Sequence, residues 1–302
     1  MANTKNYGIG IDLGGSSIKT VVVTPEGALL SRSNVSFDVE KRMDWAEKIR
    51  EIHRATIAEM GEIPRFLGLS APGLAARDGR SIACMPERLQ GLEGLVWADY
   101  LQTPGGAPVL NDAHAALLGE AWVGAARGFE NVIMLTLGTG VGGAAIVEGR
   151  LLRGHLGRAG HLGHASLDPD GPPDCAGTPG SIEVAMGNCT IEERSGGKFQ
   201  TTHELIQAHA AGDAEASRIW LKSVKALAAS ICSHINVLDP EAVIIGGGIA
   251  RAGQLLFDPL QQFLDGMEWR PLGQKARLIP AQLGEYAGGY GAAWNALKLQ
   301  RG

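Results

Sequence analysis

"GIDLGGSSIKT", residues 10–20, and "LTLGTGVGG", residues 135–143, share one pattern. Each is an apolar run that breaks into glycines and small hydroxyl residues and then resumes as a second extended run. Around the first, residues 7–13 and 17–23 read as strands, and the turn Pro25-Glu26-Gly27 leads to a third strand at 28–31. Around the second, 131–137 is followed by 144–148 and the tight turn Gly149-Arg150. The repetition is of pattern rather than of residues, and it implies two related halves. Periodicity places helices at 44–60, 113–126, 213–237 and 287–300, with short buried strands at 66–70, 109–110 and 242–245. Strands alternating with helices in both halves predict an α/β protein of two domains around a cleft.

The glycine turns suit a polyphosphate, because glycine lets several backbone N–H groups come close to it. Asp12 ends the first apolar run, where a carboxylate can hold Mg²⁺ directly or through water. GxxxxGK[ST] is absent, so neither turn is a Walker A loop. Each turn runs into a strand, which excludes the Rossmann fingerprint. One such turn alone reads as an ordinary hairpin. Two at parallel places, joined by the glycine run of "AVIIGGGIA" at 242–250, read as a nucleotide site with an adenosine face on the third. "VLNDAHAALLGEA", residues 109–121, places Asn111 and Asp112 between a strand and a helix. Asp112 there is either a helix N-cap or a base that takes the proton of a hydroxyl attacking a γ-phosphate.

The 302 residues are 45 % hydrophobic with a net charge of −5, which gives ample core for about two domains and no basic face. Nucleic-acid and anionic-membrane partners are therefore not expected. The 43 glycines imply many tight turns and close approaches. The four cysteines are scattered, no signal peptide opens the chain and no membrane span is expected, so the sequence reads as cytoplasmic.

"GRAGHLGH", residues 157–164, carries His161 and His164 three apart among small residues. Local spacing leaves a metal site, a catalytic pair, a sugar-binding turn and simple packing all open.

Taken together, GIDLGGSSIK, LSAPG, LNDAHAALLGEA, TLGTGVGGAAIVEGRLLRG, GHLGH, PGSIE and DPEAVIIGGGI resemble the ROK sugar kinases of the hexokinase/actin-like ATPase superfamily. The resemblance implies two ribonuclease-H-like domains, a smaller one over 1–118 plus 286–302 and a larger one over 119–285. It implies ATP and Mg²⁺, with Asp12, Gly14, Gly15, Lys19, Gly138, Thr139 and Gly140 at the phosphates and metal. Gly246 and Gly247 look like adenosine contacts. Asp112 looks like the catalytic base, and Gly73, Asn111, Asp112, His161, His164 and Glu183 like sugar contacts. A homodimer acting on a hexose or amino-hexose is the corresponding expectation.

Three departures stand out. The family's GExGH is here GHLGH, so His161 stands where a sugar-binding glutamate is usual. The family's CxCGxxGCxE zinc motif aligns with 174–183, where Asp174, Ala176 and Ser181 replace the three cysteines and Cys175 is one residue out of register. A structural zinc is therefore not expected, although His155, His161 and His164, or Cys175, are the residues that would rebuild one. The family's PNL is here Pro86-Glu87-Arg88-Leu89, which leaves sugar specificity open. A sugar-sensing regulator with a leading helix-turn-helix is not expected, since about six residues precede the first strand. A catalytically silent sugar-binding protein is the remaining alternative to a kinase.

Overall fold

One strand order occurs twice. The computed structural model of the chain describes residues 6–85 and 88–301. It begins with a meander of β1 (Gly8–Leu13), β2 (Ser17–Val23) and β3 (Leu29–Ser36), followed by α1 (Asp44–Met60). Then come β4 (Phe66–Ala71), the small hairpin β5 (Leu74–Ala75) and β6 (Ile82–Cys84), α2 (Trp97–Leu101), β7 (Val109–Asn111) and α3 (Asp112–Val123). The second meander is β8 (Val132–Leu137), β9 (Val141–Val147) and β10 (Arg150–Leu151). Four helices follow: α4 (Ile182–Met186), α5 (Ile191–Arg194), α6 (Thr202–Ala210) and α7 (Ala214–Leu238). The chain closes with β11 (Ala242–Gly246), α8 (Gln254–Met267), β12 (Arg277–Pro280) and α9 (Ala287–Arg301).

The first sheet runs β3-β2-β1-β4-β7 and the second β10-β9-β8-β11-β12. In each, the three meander strands are antiparallel, while the first of them also pairs in parallel with a later strand. The two halves expected from the turn pattern are thus the same sheet built twice. Their registers correspond as well. Asp12 faces Lys19 on β2 and Ser70 on β4, and in the second sheet Thr136 faces Gly142 on β9 and Gly246 on β11.

The chain separates into two units. One comprises the described residues up to Gly128, Arg153–Ala159 and those from Gln282 onward; the other is Phe129–Leu152 with Gly160–Ala281. The expected division at 118/119 instead falls inside α3, which runs unbroken to Val123. The expected division at 285/286 falls within the 3₁₀ turn Gly284–Tyr286. The buried carboxylate of Glu120 fixes this region: it accepts from the N–H groups of Ala125, Gln282 and Leu283 at 2.7–2.9 Å.

In the first unit, Ile9, Ile11 and Leu13 of β1 pack with Trp45, Ile49 and Trp97. α9 covers the other face and carries Gly288, Gly289 and Gly291 in its first two turns. Glycine inside a helix is unfavourable by about 1 kcal/mol relative to alanine. Close packing compensates. A side chain at Gly10 or Gly68 would strike the carbonyls of Gly289 and Ala292, so the helix backbone lies directly on the sheet. In the second unit, Trp220, Leu227 and Ile231 of α7 bury against Val243 and Ile245 of β11. Each such apolar side chain contributes about 1.5–3 kcal/mol. No helix among the described residues is long and apolar enough to cross a membrane.

Candidate active site

The parallel strands β1, β4 and β7 end side by side, and the acids of the first unit gather at those ends. Asp12 is half-buried, and Ser70 Oγ donates to its Oδ1 at 2.6 Å. Burial pushes the Asp12 carboxyl up to about 6; the Ser70 hydroxyl and Lys19 oppose this, and the charge of Asp112 adds to it. A carboxylate so poorly compensated fits a place that receives a cation. Lys19 Nζ stands 3.4 Å from where a side chain on Gly14 would begin, so the lysine flanks the first glycine turn.

Asn111, not Asp112, is the N-cap of α3. Its Oδ1 accepts from the N–H groups of Ala113 and His114, and its Nδ2 donates to the Gly73 carbonyl at 3.0 Å. Gly73 has φ 98 and packs against the Cys84 carbonyl, which leaves no room for a side chain. The cap frees Asp112, the first residue of the helix, to present its carboxylate while Oδ1 accepts from the Ala113 N–H at 2.8 Å. Asp112 is accessible to water, yet enough protein surrounds it that desolvation raises its carboxyl above the usual range. The Ala113 N–H, the Asn111 amide and the Arg88 guanidinium pull the other way.

In the second unit, the glycine turn is held from behind. The Gly138 carbonyl accepts from Asn188 N–H at 3.0 Å, and the Thr139 carbonyl from Cys189 N–H at 2.8 Å. In a trans peptide the N–H points opposite to the C=O, so the N–H groups of Thr139 and Gly140 point away from these partners. This is the polarity an anion needs. Glu183 Oε2 accepts from Val141 N–H at 3.0 Å, and its carboxylate fills the space that a side chain on Gly140 would take.

Gly138, Thr139 and Asn188 line a cavity of about 660 Å³, together with Thr202, His203, Gln207, Gly248 and Arg251. Of the third glycine run, Gly248 and Ile249 line it. Gly246 packs on Met134 and Ala281, and Gly247, at φ 88, packs on the backbone of Leu137.

His164 ends a single 3₁₀ turn, Leu162–His164, of which His161 is the N-cap. Spacing by three in a 3₁₀ helix superposes side chains. Their rings accordingly stack, with centroids 6.5 Å apart and an interplanar angle of 16°. Gly163 packs against the Val141 carbonyl, which ties this turn to β9. His164 donates through Nδ1 to Asp174 Oδ2 at 2.8 Å. Asp174 Oδ1 accepts from the N–H groups of Ala176 and Thr178, both at 2.9 Å, and Ser181 also hydrogen-bonds to this carboxylate.

The four places that carry zinc ligands in the family are therefore joined here by hydrogen bonds through Asp174. Alanine supplies no ligand and Ser181 Oγ caps α4, so these residues do not fit the family's zinc. His164, Cys175 and Glu183 do bring one ligand atom each within 4.8 Å of one another. Burial, then Glu183, pushes the Cys175 thiol up to about 12, so it is protonated at neutral pH. Of the altered loop, Pro86 and Glu87 lie outside the described residues.

With this geometry in place, the ROK family model matches residues 8–299. The chain belongs to the ROK family. Among curated ROK relatives, it is 33 % identical over 276 residues to a glucokinase of Thermotoga maritima, covering 84 % of this chain and 86 % of that one. It is 31 % identical over 252 residues to an N-acetylmannosamine kinase of Yersinia pestis, covering 81 % and 84 %. A ROK glucokinase of Streptomyces griseus, solved with glucose and AMPPNP, superposes with a TM-score of 0.78 at 29 % identity, covering 98 % of this chain and 100 % of that one. The fold is that of the ROK hexokinases, as the twofold strand order implies.

Several cavity residues were not singled out by the sequence. Thr202, His203 and Gln207 belong to α6, whose capping box of Thr201 and Glu204 is a readable signal. The helix was legible; its place beside the glycine turn, set by Asn188 Oδ1 accepting from Thr202 N–H at 2.7 Å, was not.

Proposed function

We propose that this ROK sugar kinase transfers the γ-phosphoryl group of ATP to a hydroxyl of a hexose or amino-hexose. The observation that carries this reading is the pair of desolvated carboxylates, Asp12 and Asp112, at the ends of the parallel strands β1 and β7, where the charge of Asp112 adds to the upward shift of Asp12. Asp12, with Lys19 beside it, would hold Mg²⁺, which when bound neutralises charge on the phosphates. Asp112 accepts the proton of the sugar hydroxyl as that oxygen attacks. Its position at the first turn of α3, behind an Asn111 cap tied to Gly73, keeps it in place.

Gly14, Gly15, Gly138, Thr139 and Gly140 contact the phosphates in this reading, and the cavity beyond Thr139 takes the nucleoside, with Gly246 and Gly247 beneath it. His161, His164 and Glu183 contribute to the sugar pocket, together with Gly73 and Asn111. The protein works without zinc, as a cytoplasmic homodimer, on a free sugar rather than on nucleic acid or membrane. The names glucokinase and N-acetylmannosamine kinase among the relatives support both a plain hexose and an N-acetylated one as substrate.

Histidine in place of the expected glutamate at 161 favours one other reading, a sugar-binding protein without turnover. Calorimetry with MgATP, followed by a coupled ADP-release assay over hexoses and N-acetylhexosamines, separates the two. Nucleotide binding with turnover of one sugar is expected. Binding of sugar without nucleotide binding would overturn the kinase.

A further inference from the structure

Arg88 lies in the loop where this sequence departs from its family, and three observations define its setting. The guanidinium lies on the first glycine turn: Nη2 is 2.6 Å, and Cζ 3.9 Å, from where a side chain on Gly15 would begin. Its charge reaches Asp112. The residue after it, Leu89, holds φ 50, a conformation that a leucine rarely adopts, while its side chain packs against the core of the first unit. Leu89 is thus an anchor that turns the backbone and carries Arg88 over the glycines. Arg88 itself is exposed and forms no salt bridge or side-chain hydrogen bond with another described residue.

A cation held against a phosphate-binding turn, beside the proposed base and without a salt bridge to a carboxylate among the described residues, is poorly explained by stability. An exposed arginine gains little from resting on backbone, and the strained leucine opposes folding by about 1–3 kcal/mol. It is well suited to the charge that spreads over the oxygens of a phosphoryl group in transfer. The planar guanidinium donates to two such oxygens at once, which an ammonium cannot do in fixed geometry. Lys19 does not duplicate it, because the lysine faces Asp12 across the strand pair.

We propose that Arg88 is a catalytic residue of this kinase and binds the phosphoryl group during its transfer to the sugar. The sugar oxygen forms its bond to the γ-phosphorus as the bond from that phosphorus to the β-bridging oxygen breaks. Asp112 takes the hydroxyl proton, ADP leaves with the bonding pair, and Arg88 stays charged throughout. The inference rests on the kinase reading with Asp112 as base.

The test uses the full-length protein with Arg88→Ala and Arg88→Lys. Wild-type turnover of at least one sugar is measured first, and its absence across the panel would overturn the kinase reading and the arginine role together. Given turnover, Arg88→Ala should lower kcat by about 10²–10³-fold, with KM for sugar and for MgATP within a few-fold of wild type. Arg88→Lys should lie between, keeping the charge without the fork. Binding of ADP with magnesium and aluminium fluoride should weaken in both variants more than binding of ADP alone.

The pH profile is a second readout. Asp112 is faced by Arg88, by Asp12 with Lys19 behind it, and by the Ala113 N–H and Asn111 amide. Removing this cation, whose charge acts on Asp112, should move the acid limb of kcat to higher pH. An unchanged kcat in Arg88→Ala overturns the proposal, and so does a loss confined to the KM for sugar, which would make Arg88 a ground-state sugar contact.

Discussion

Ser70 donates its hydroxyl to Asp12 across a parallel strand pair, at 2.6 Å and in direct register. The bond opposes the burial that lifts the Asp12 carboxyl to about 6. Ser70→Ala should therefore raise that value further, by roughly half to one unit. The acid limb of kcat/KM for MgATP should move up with it, and an unmoved limb would remove Asp12 from the metal site.

The same shift has a stability consequence. Between about 4 and 6, folded Asp12 still holds a proton that the unfolded chain has released, so the stability tied to the protonated form is fully present below about pH 4 and is lost progressively as pH rises through 6. Asp12→Asn should gain on the order of 1–2 kcal/mol over wild type at pH 7.5, and the gain should vanish below about pH 4. Urea denaturation at the two pH values reads this directly.

Asp112→Asn keeps the shape of the side chain and removes the base. Turnover should fall by about 10²–10⁴-fold while MgATP affinity by calorimetry stays near wild type. Near wild-type kcat in this variant would reassign the proton to another group.

Asp174 has a side chain with no exposed surface and accepts from His164, Ala176 and Thr178. Burial raises its carboxyl, but the hydrogen bonds from His164, Ser181, Thr178 and Ala176 outweigh this and hold it below the usual range. Asp174→Ala leaves those donors unpaired and should cost on the order of 1–3 kcal/mol at pH 7. Because the folded value is depressed, that deficit should shrink as pH falls through it, below about pH 4. Elemental analysis of protein purified without chelators should find no stoichiometric zinc. About one zinc per chain would instead make His164, Cys175 and Glu183 the ligand set.

His161→Glu should change the ranking among sugars. Glutamate only accepts hydrogen bonds when ionised, whereas neutral imidazole has one donor and one acceptor. An unchanged ranking with folding intact would assign His161 to packing alone.

The glycine turns were legible because strand, turn and strand are adjacent in sequence, and their equivalence foretold one sheet built twice. β12 and α8 left weaker traces: Arg277–Pro280 is a half-exposed edge strand ending in proline, and α8 carries Pro259 inside it. Asn111 and Asp112 were readable as a cap and an acid, but their order was set by side-chain geometry: Asn111 reaches two N–H groups, so it caps. The zinc-motif replacements were visible one by one. That Asp174 gathers His164, Ala176 and Ser181 around itself depends on the folding of the 165–181 loop, which no periodicity describes.

α9 lies on β1 and β4 through Gly10 and Gly68, and Gly288 at its start abuts the Asp12 carboxylate. The helix follows, along the chain, the strands it covers, the acid it abuts and all of the second unit. During synthesis the sheet of the first unit therefore stays open on one face until the second unit has emerged. A chain cut short before α9 would carry both glycine turns and Asp112 but an Asp12 without the wall that Gly288 gives it.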